Sequence, residues 1–170
     1  MDVRYCLGQL SANAVAIQHL VGRVQNDEAR WKPSAEDWSI VEVINHLVDE
    51  EREDFRTRLQ HLVSGSTQPW PLIAPQQWVV ERAYNQRDLH ESVENYMRER
   101  ESSLDWLARL DDVDWGTCYR HPPSDGLSAG DLLVSWAAHD VLHLRQVVEL
   151  KWAYGRTRCA PYSPRYAGEW

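Results

Sequence analysis

Apolar residues recur at steps of three and four through most of this chain, which is the period of an amphipathic helix. Over residues 3–25 the stripe is Tyr5, Leu10, Ala14, Ile17, Leu20, Val21 and Val24. A polar connector follows and ends at Trp38. Ser39 then fits a helix N-cap, and Glu42, three residues on, completes a capping box; Trp38, just before the cap, is placed to staple onto Val43. The helix so opened runs from about 40 to 63, with Ile40, Val43, Ile44, Leu47, Val48, Phe55, Leu59 and Leu62 on one side. Glu51 falls on that apolar side and needs a partner or water, because a bare buried charge is costly.

Residues 64–87 are punctuated by Gly65, Pro69, Pro71 and Pro75, so the segment begins as loop. It is longer than an antiparallel turn requires. A connector of this length can run back along a bundle and leave the second and third helices parallel. Asp88 caps a third helix over about 89–110, with Leu89, Val93, Tyr96, Met97, Leu104, Leu107 and Leu110 inside. A loop over 111–127 contains Pro122, Pro123 and Gly126. Ser128 caps a fourth helix, with Asp131 as the acidic residue of its first turn, and Gly155 is the expected stop. No strand pattern and no internal repeat is visible. Four helices of roughly twenty residues each predict an all-α four-helix bundle. The bundle is expected over residues 1–155, with 156–170 a tail that packs on it through aromatics or is disordered.

Composition narrows the classes. At 170 residues, 43% apolar and 26% charged, the chain suits one soluble domain with a single core. The net charge of −8, with no stripe of Lys or Arg, argues against nucleic acid as a partner. No apolar run approaches the ~20 residues that cross a bilayer, and the N-terminus lacks a signal-peptide plan, so no membrane association and a cytoplasmic location are expected. Cys6, Cys118 and Cys159 are too sparse for a disulfide framework, which fits a reducing compartment. Cys118 is better explained as a partly buried small side chain than as a reactive thiol.

The candidate chemistry lies in Trp136-Ala-Ala-His-Asp-Val-Leu-His-Leu-Arg-Gln146. His139 and His143, four apart on a helix, share one face and can approach one metal ion. Seven histidines would give about 0.3 such pairs by chance, so the pair alone is weak. It is strengthened by its apolar surroundings and by His46, which lies within a long apolar helix of its own. Three imidazoles from two helices would leave open positions on the metal, the layout of a reactive centre. Imidazole ligands suit Zn, Ni, Fe(II) or Cu alike. Glu50, one turn from His46, is the candidate general base, or a carboxylate that orients a ligand, or a solvated charge. Asp140 and Gln146 are weaker candidates for orienting the imidazoles. His19, His61, His90 and His121 are expected at the surface, His121 within possible reach of the site's mouth; Trp38 and Trp136 could line a pocket.

Taken together, Trp31-Lys-Pro, Trp38-Ser-Ile, Glu42-Val, His46-Leu, Asp49, Glu51-Arg52 and, far downstream, His139-Asp-Val-Leu-His143 with Gln146 resemble the DinB-like, damage-inducible superfamily. This is the metal-binding bundle family, distinct from the polymerase that shares the name. The resemblance runs over nearly the whole chain and implies an up-down-down-up four-helix course. It implies His46, His139 and His143 as ligands of a divalent metal, Zn or Ni first and Fe next. Leu142 stands where many members carry a further histidine, a position outside the metal triad. Characterised members include thiol S-transferases and thiol-dependent isomerases. The implied function is therefore that of a metal-dependent enzyme on a small molecule, with a low-molecular-weight thiol as one candidate partner. A metal-dependent hydrolase and a non-catalytic metal-binding stress protein are the alternatives. Homodimers are common in the family, and one is expected here.

Overall fold

The computed structural model describes residues 1–124 and 126–168, and among these it is built from helices. The first, α1, spans Val3–Val21. A short α2, Asn26–Arg30, interrupts the connector that the sequence left as coil. The second rod begins as α3, Ile40–Asp49, under a complete Ser39/Glu42 capping box. It passes through a π-helical stretch, Glu50–Phe55, and ends as α4, Arg56–Val63. The connector after it holds a short α5, Pro75–Glu81, started by proline at its first turn. Then come α6, Leu89–Leu107, capped by Asp88, and α7, Ala129–Arg158, under a Ser128/Asp131 box.

Three ends differ from the sequence expectation. α1 stops at Val21 and α6 at Leu107, a few residues short in each case. α7 runs through Gly155 to Arg158. Glycine weakens a helix by about 1 kcal/mol without breaking it, and here α7 ends three residues ahead of Pro161, where the chain cannot stay helical. The tail folds back: Tyr162 and Pro164 line one cavity together with Trp31 and Pro33.

Contacts between helices give the course. Asn45 meets Ser92, and Glu51 and Arg56 both meet Ser103, so the second rod and α6 run parallel. Phe55 stacks on Trp136 while His46 lies beside His143, so the rod and α7 are antiparallel. A Cβ on Gly130 would meet Met1, and Tyr154 bonds Asp27, so α1 and α7 are parallel. The bundle is therefore up-down-down-up. Besides a small cluster of Trp78, Val79 and Tyr84 at the connector, the core falls into two blocks, one around Ile17, Ile44, Leu47 and Tyr96 and one around Leu10, Leu59, Leu133 and Trp136. The histidines and the buried charges lie at the level between them.

Candidate metal centre

α3 presents His46 and α7 presents His139 and His143, and the structure brings the three together across the bundle. One nitrogen from each lies within 4.8 Å of the other two. The Nε2 atoms of His139 and His143 are 3.1 Å apart. Two imidazole nitrogens bound at ~2.0–2.1 Å to one ion lie roughly 3–3.4 Å apart, so this pair is already at ligand spacing. Gln146, one turn on, accepts from His143 Nδ1 at 2.8 Å through Oε1, which leaves the Nε2 lone pair facing the cluster. Trp38 covers His46, with ring centroids 4.9 Å apart, and Phe55 packs on His139 at 5.1 Å.

Burial sets the protonation. It drives the His46 imidazole down to about 2, the neighbouring His143 and His139 adding to the effect. His139 falls to about 3, by burial first, then by His143 and Arg100. His143 is lowered by burial too, against the pull of its bond to Gln146. All three are therefore neutral bases with lone pairs to give. Buried polar groups normally find partners, yet His46 Nδ1 has none, and neither has Glu50 Oε1, 3.7 Å from it. An unsatisfied donor set facing two α7 imidazoles fits a divalent cation, as do neutral imidazoles in the absence of any thiolate.

Glu50 is 5% exposed, so it is not the solvated flank residue that remained open in the sequence. Burial, followed by its bond to and repulsion from Asp54, raises it to about 9. Burial raises Asp54 as well, opposed by the Glu50 bond and by Arg58, which pairs with it at 2.7 Å. In the metal-free protein Glu50 carries the proton and donates to Asp54. The two carboxyls, the three imidazoles, Trp38 and Gln146 line one open cavity of about 540 Å³.

Other candidates lie elsewhere. Asp140 does not orient an imidazole: both its oxygens are taken by Arg100, at 2.6 and 2.8 Å. Trp136 is absent from the lining of the histidine cavity; it is buried and donates to Glu51 Oε1 at 2.8 Å. His121 is held against Thr67 O at 2.9 Å and is absent from the lining of the histidine cavity. His61 is half-buried, because its helix packs closely enough to cover Nδ1. The residue that sequence reasoning missed is Arg100. It is 1% exposed on α6 and bridges Glu51 and Asp140 beneath the histidines. A charge among polar α6 neighbours gave no sign of burial; Glu51, flagged as needing a partner, was the usable hint.

These features define a class: an up-down-down-up helical bundle with a three-histidine, acid-flanked cavity between its second rod and its last helix. The model of the DinB superfamily matches residues 9–147, and the chain belongs to that superfamily. No curated protein matches the chain. Among solved structures it is similar to YfiT from Bacillus subtilis, described as a probable metal-dependent hydrolase with an unusual four-helix bundle topology. That match has a TM-score of 0.80 at 15% identity and covers 90% of this chain and 87% of the other. Among the described residues no helix is long and apolar enough to cross a membrane.

Proposed function

We propose that this protein is a metal-dependent enzyme acting on a small molecule, with His46, His139 and His143 holding one divalent ion, Zn or Ni first and Fe next. The observation that carries the reading is the convergence of three neutral imidazoles, His46 buried and His139 and His143 half-buried, on a cavity that also presents an unpartnered carboxyl oxygen. A bound dication with three neutral ligands keeps its charge and lowers the pKa of a coordinated water or thiol towards neutrality. Glu50 is the general base: its carboxyl faces the same cavity and, with its pKa lowered by the field of a bound cation and its proton released to solvent, would accept a proton from the nucleophile. Gln146 holds the His143 tautomer, and Trp38 shields one side of His46 from water. The cavity is of the size that takes small molecules.

Hydrolysis is the preferred reaction, because a carboxyl base beside the imidazoles is what water activation requires; the similarity to a probable metal-dependent hydrolase agrees. Thiol S-transfer is the second reading, supported by the family resemblance. No cysteine lines the cavity, so its thiol would be a small-molecule co-substrate. Two copies would pair through the exposed Val134, Val141 and Val148, seven apart along α7, and a cytoplasmic enzyme remains the expectation. The test is a panel of esters, amides and thiol-transfer pairs offered to the Zn- and Ni-loaded protein and to Glu50→Gln. Metal-dependent hydrolysis that falls about 100-fold or more in Glu50→Gln, with metal content unchanged, is expected. Turnover only in the presence of a thiol would overturn the hydrolytic reading. Equal rates in the variant would remove Glu50 from the chemistry.

A further inference from the structure

The cavity beside the three histidines is lined by four carboxyl groups, Glu36, Asp37, Glu50 and Asp54, and by no Lys or Arg. Asp54 is offset from behind by Arg58 at 2.7 Å. Glu50 belongs to the chemistry at the inner end, which leaves Glu36 and Asp37 at the mouth. Glu36 and Asp37 are exposed at the rim, and no salt bridge compensates them among the described residues. Lys32, in an adjoining groove that shares these two acids, is held by Glu42 at 2.8 Å. The rim is also walled by Trp38 and Ile73, and low-dielectric walls focus the field of nearby charges. The unpartnered, buried Glu50 oxygen and His46 nitrogen mark the inner end of the same cavity as built to receive a ligand.

We propose, building on the metal-centre reading above, that Glu36 and Asp37 select a substrate that is cationic at the end remote from the metal, such as a protonated amine or quaternary ammonium. A ligand would meet the metal with its reactive group and the acidic rim with its other end. A carboxylate or sulfonate in the second place faces two uncompensated like charges, and the site discriminates against it by repulsion as much as by attraction of the cation. The same rim disfavours thiols that carry carboxylates.

Two thiols of equal reach test this: thiocholine, with a quaternary ammonium, and 2-mercaptoethanesulfonate. Neither charged end is a useful metal ligand. Binding to the Ni-loaded full chain is read from the thiolate-to-metal absorption band. Thiocholine is expected to bind about tenfold tighter or more, and Glu36→Gln/Asp37→Asn to abolish the difference. Equal affinities, or a preference for the sulfonate, would overturn the proposal. A metal-free readout runs beside it: paramagnetic broadening of the Trp38 indole N–H by 4-amino-TEMPO against 4-carboxy-TEMPO. The cation-to-anion ratio at Trp38 should exceed that at Val15, on the outer face of α1, roughly fivefold. A ratio no higher than at Val15 overturns the acidic-rim argument even if no metal binds. Zinc titration of the same sample decides the metal-centre reading separately, since imidazole resonances that do not move refute it whatever the nitroxides show.

Discussion

Two clusters of buried polar groups lie a turn apart in this bundle, and they are finished differently. Every nitrogen of the Arg100 guanidinium is used, and of the groups against it the Tyr96 hydroxyl alone has no hydrogen-bond partner among the described residues. Nε and Nη2 give to Glu51, both Nη atoms to Asp140, and Nη1 also to the Leu10 carbonyl. Glu51 further accepts from Ser103 and Trp136. One guanidinium thus ties α6 to α1, to the π-helical stretch and to α7. In the other cluster His46 and Glu50 are also buried, yet a ring nitrogen and a carboxyl oxygen have no partner, and a cavity opens beside them. A satisfied network fixes positions; an unsatisfied buried one waits for something to bind. Glu51 follows Glu50, and Asp140 follows His139, so the closed cluster fixes the backbone from which the open one is displayed.

The comparison breaks most visibly at Arg100. Arg100→Met leaves two buried carboxylates unpaired and is expected to cost about 3–5 kcal/mol of stability, measured by urea unfolding at neutral pH. A loss under about 1 kcal/mol would show that the closed cluster does not hold the bundle together. The open cluster should respond in affinity instead. Gln146→Ala removes only the group that orients His143, and is expected to weaken metal binding about 10–100-fold with little change in metal-free stability. Calorimetric titration with Zn or Ni measures it, and unchanged affinity would leave Gln146 without a role.

The most gradual effect is in pH. His139 has a folded-state pKa of about 3, below its ordinary value of 6.5, so at intermediate pH the unfolded chain binds a proton that the folded one cannot. Metal-free wild type therefore loses stability relative to His139→Gln as pH falls from about 6.5 towards 3, by up to about 1.4 kcal/mol per unit. Differencing against the variant removes the opposing contributions of Glu50, Asp54 and Asp140, whose pKa values are raised. Parallel stability curves would mean that His139 titrates freely and is not buried as described.

What the sequence made legible was local. The Ser39 and Ser128 caps depend on residues three apart, and the structure contains both boxes. The His139–His143 pair is one helical turn, and the parallel second and third helices follow from connector length. Less accessible was anything set by packing across the bundle. The π-helical stretch hides in Glu50-Glu-Arg-Glu-Asp-Phe55, where charge masks any period. Arg100 and Glu51 are 49 residues apart, and only the misplaced-looking acid hinted at the pair. Helix α5 was signalled by Pro75 ahead of Trp78 and Val79, but the surrounding prolines obscured it. Nor could spacing show which flank of His46 is covered, or that the connector would bring Pro75 and Gln76 to the cavity that Glu50 lines.

The central claim is that the open cluster is a metal centre, and metal content tests it most directly. Tag-free wild type and His139→Ala would be incubated with Zn or Ni, desalted and analysed by mass spectrometry. The account predicts about one equivalent in the wild type and a loss of most of it in the variant. No metal in either protein would contradict it and leave the three clustered histidines without a purpose.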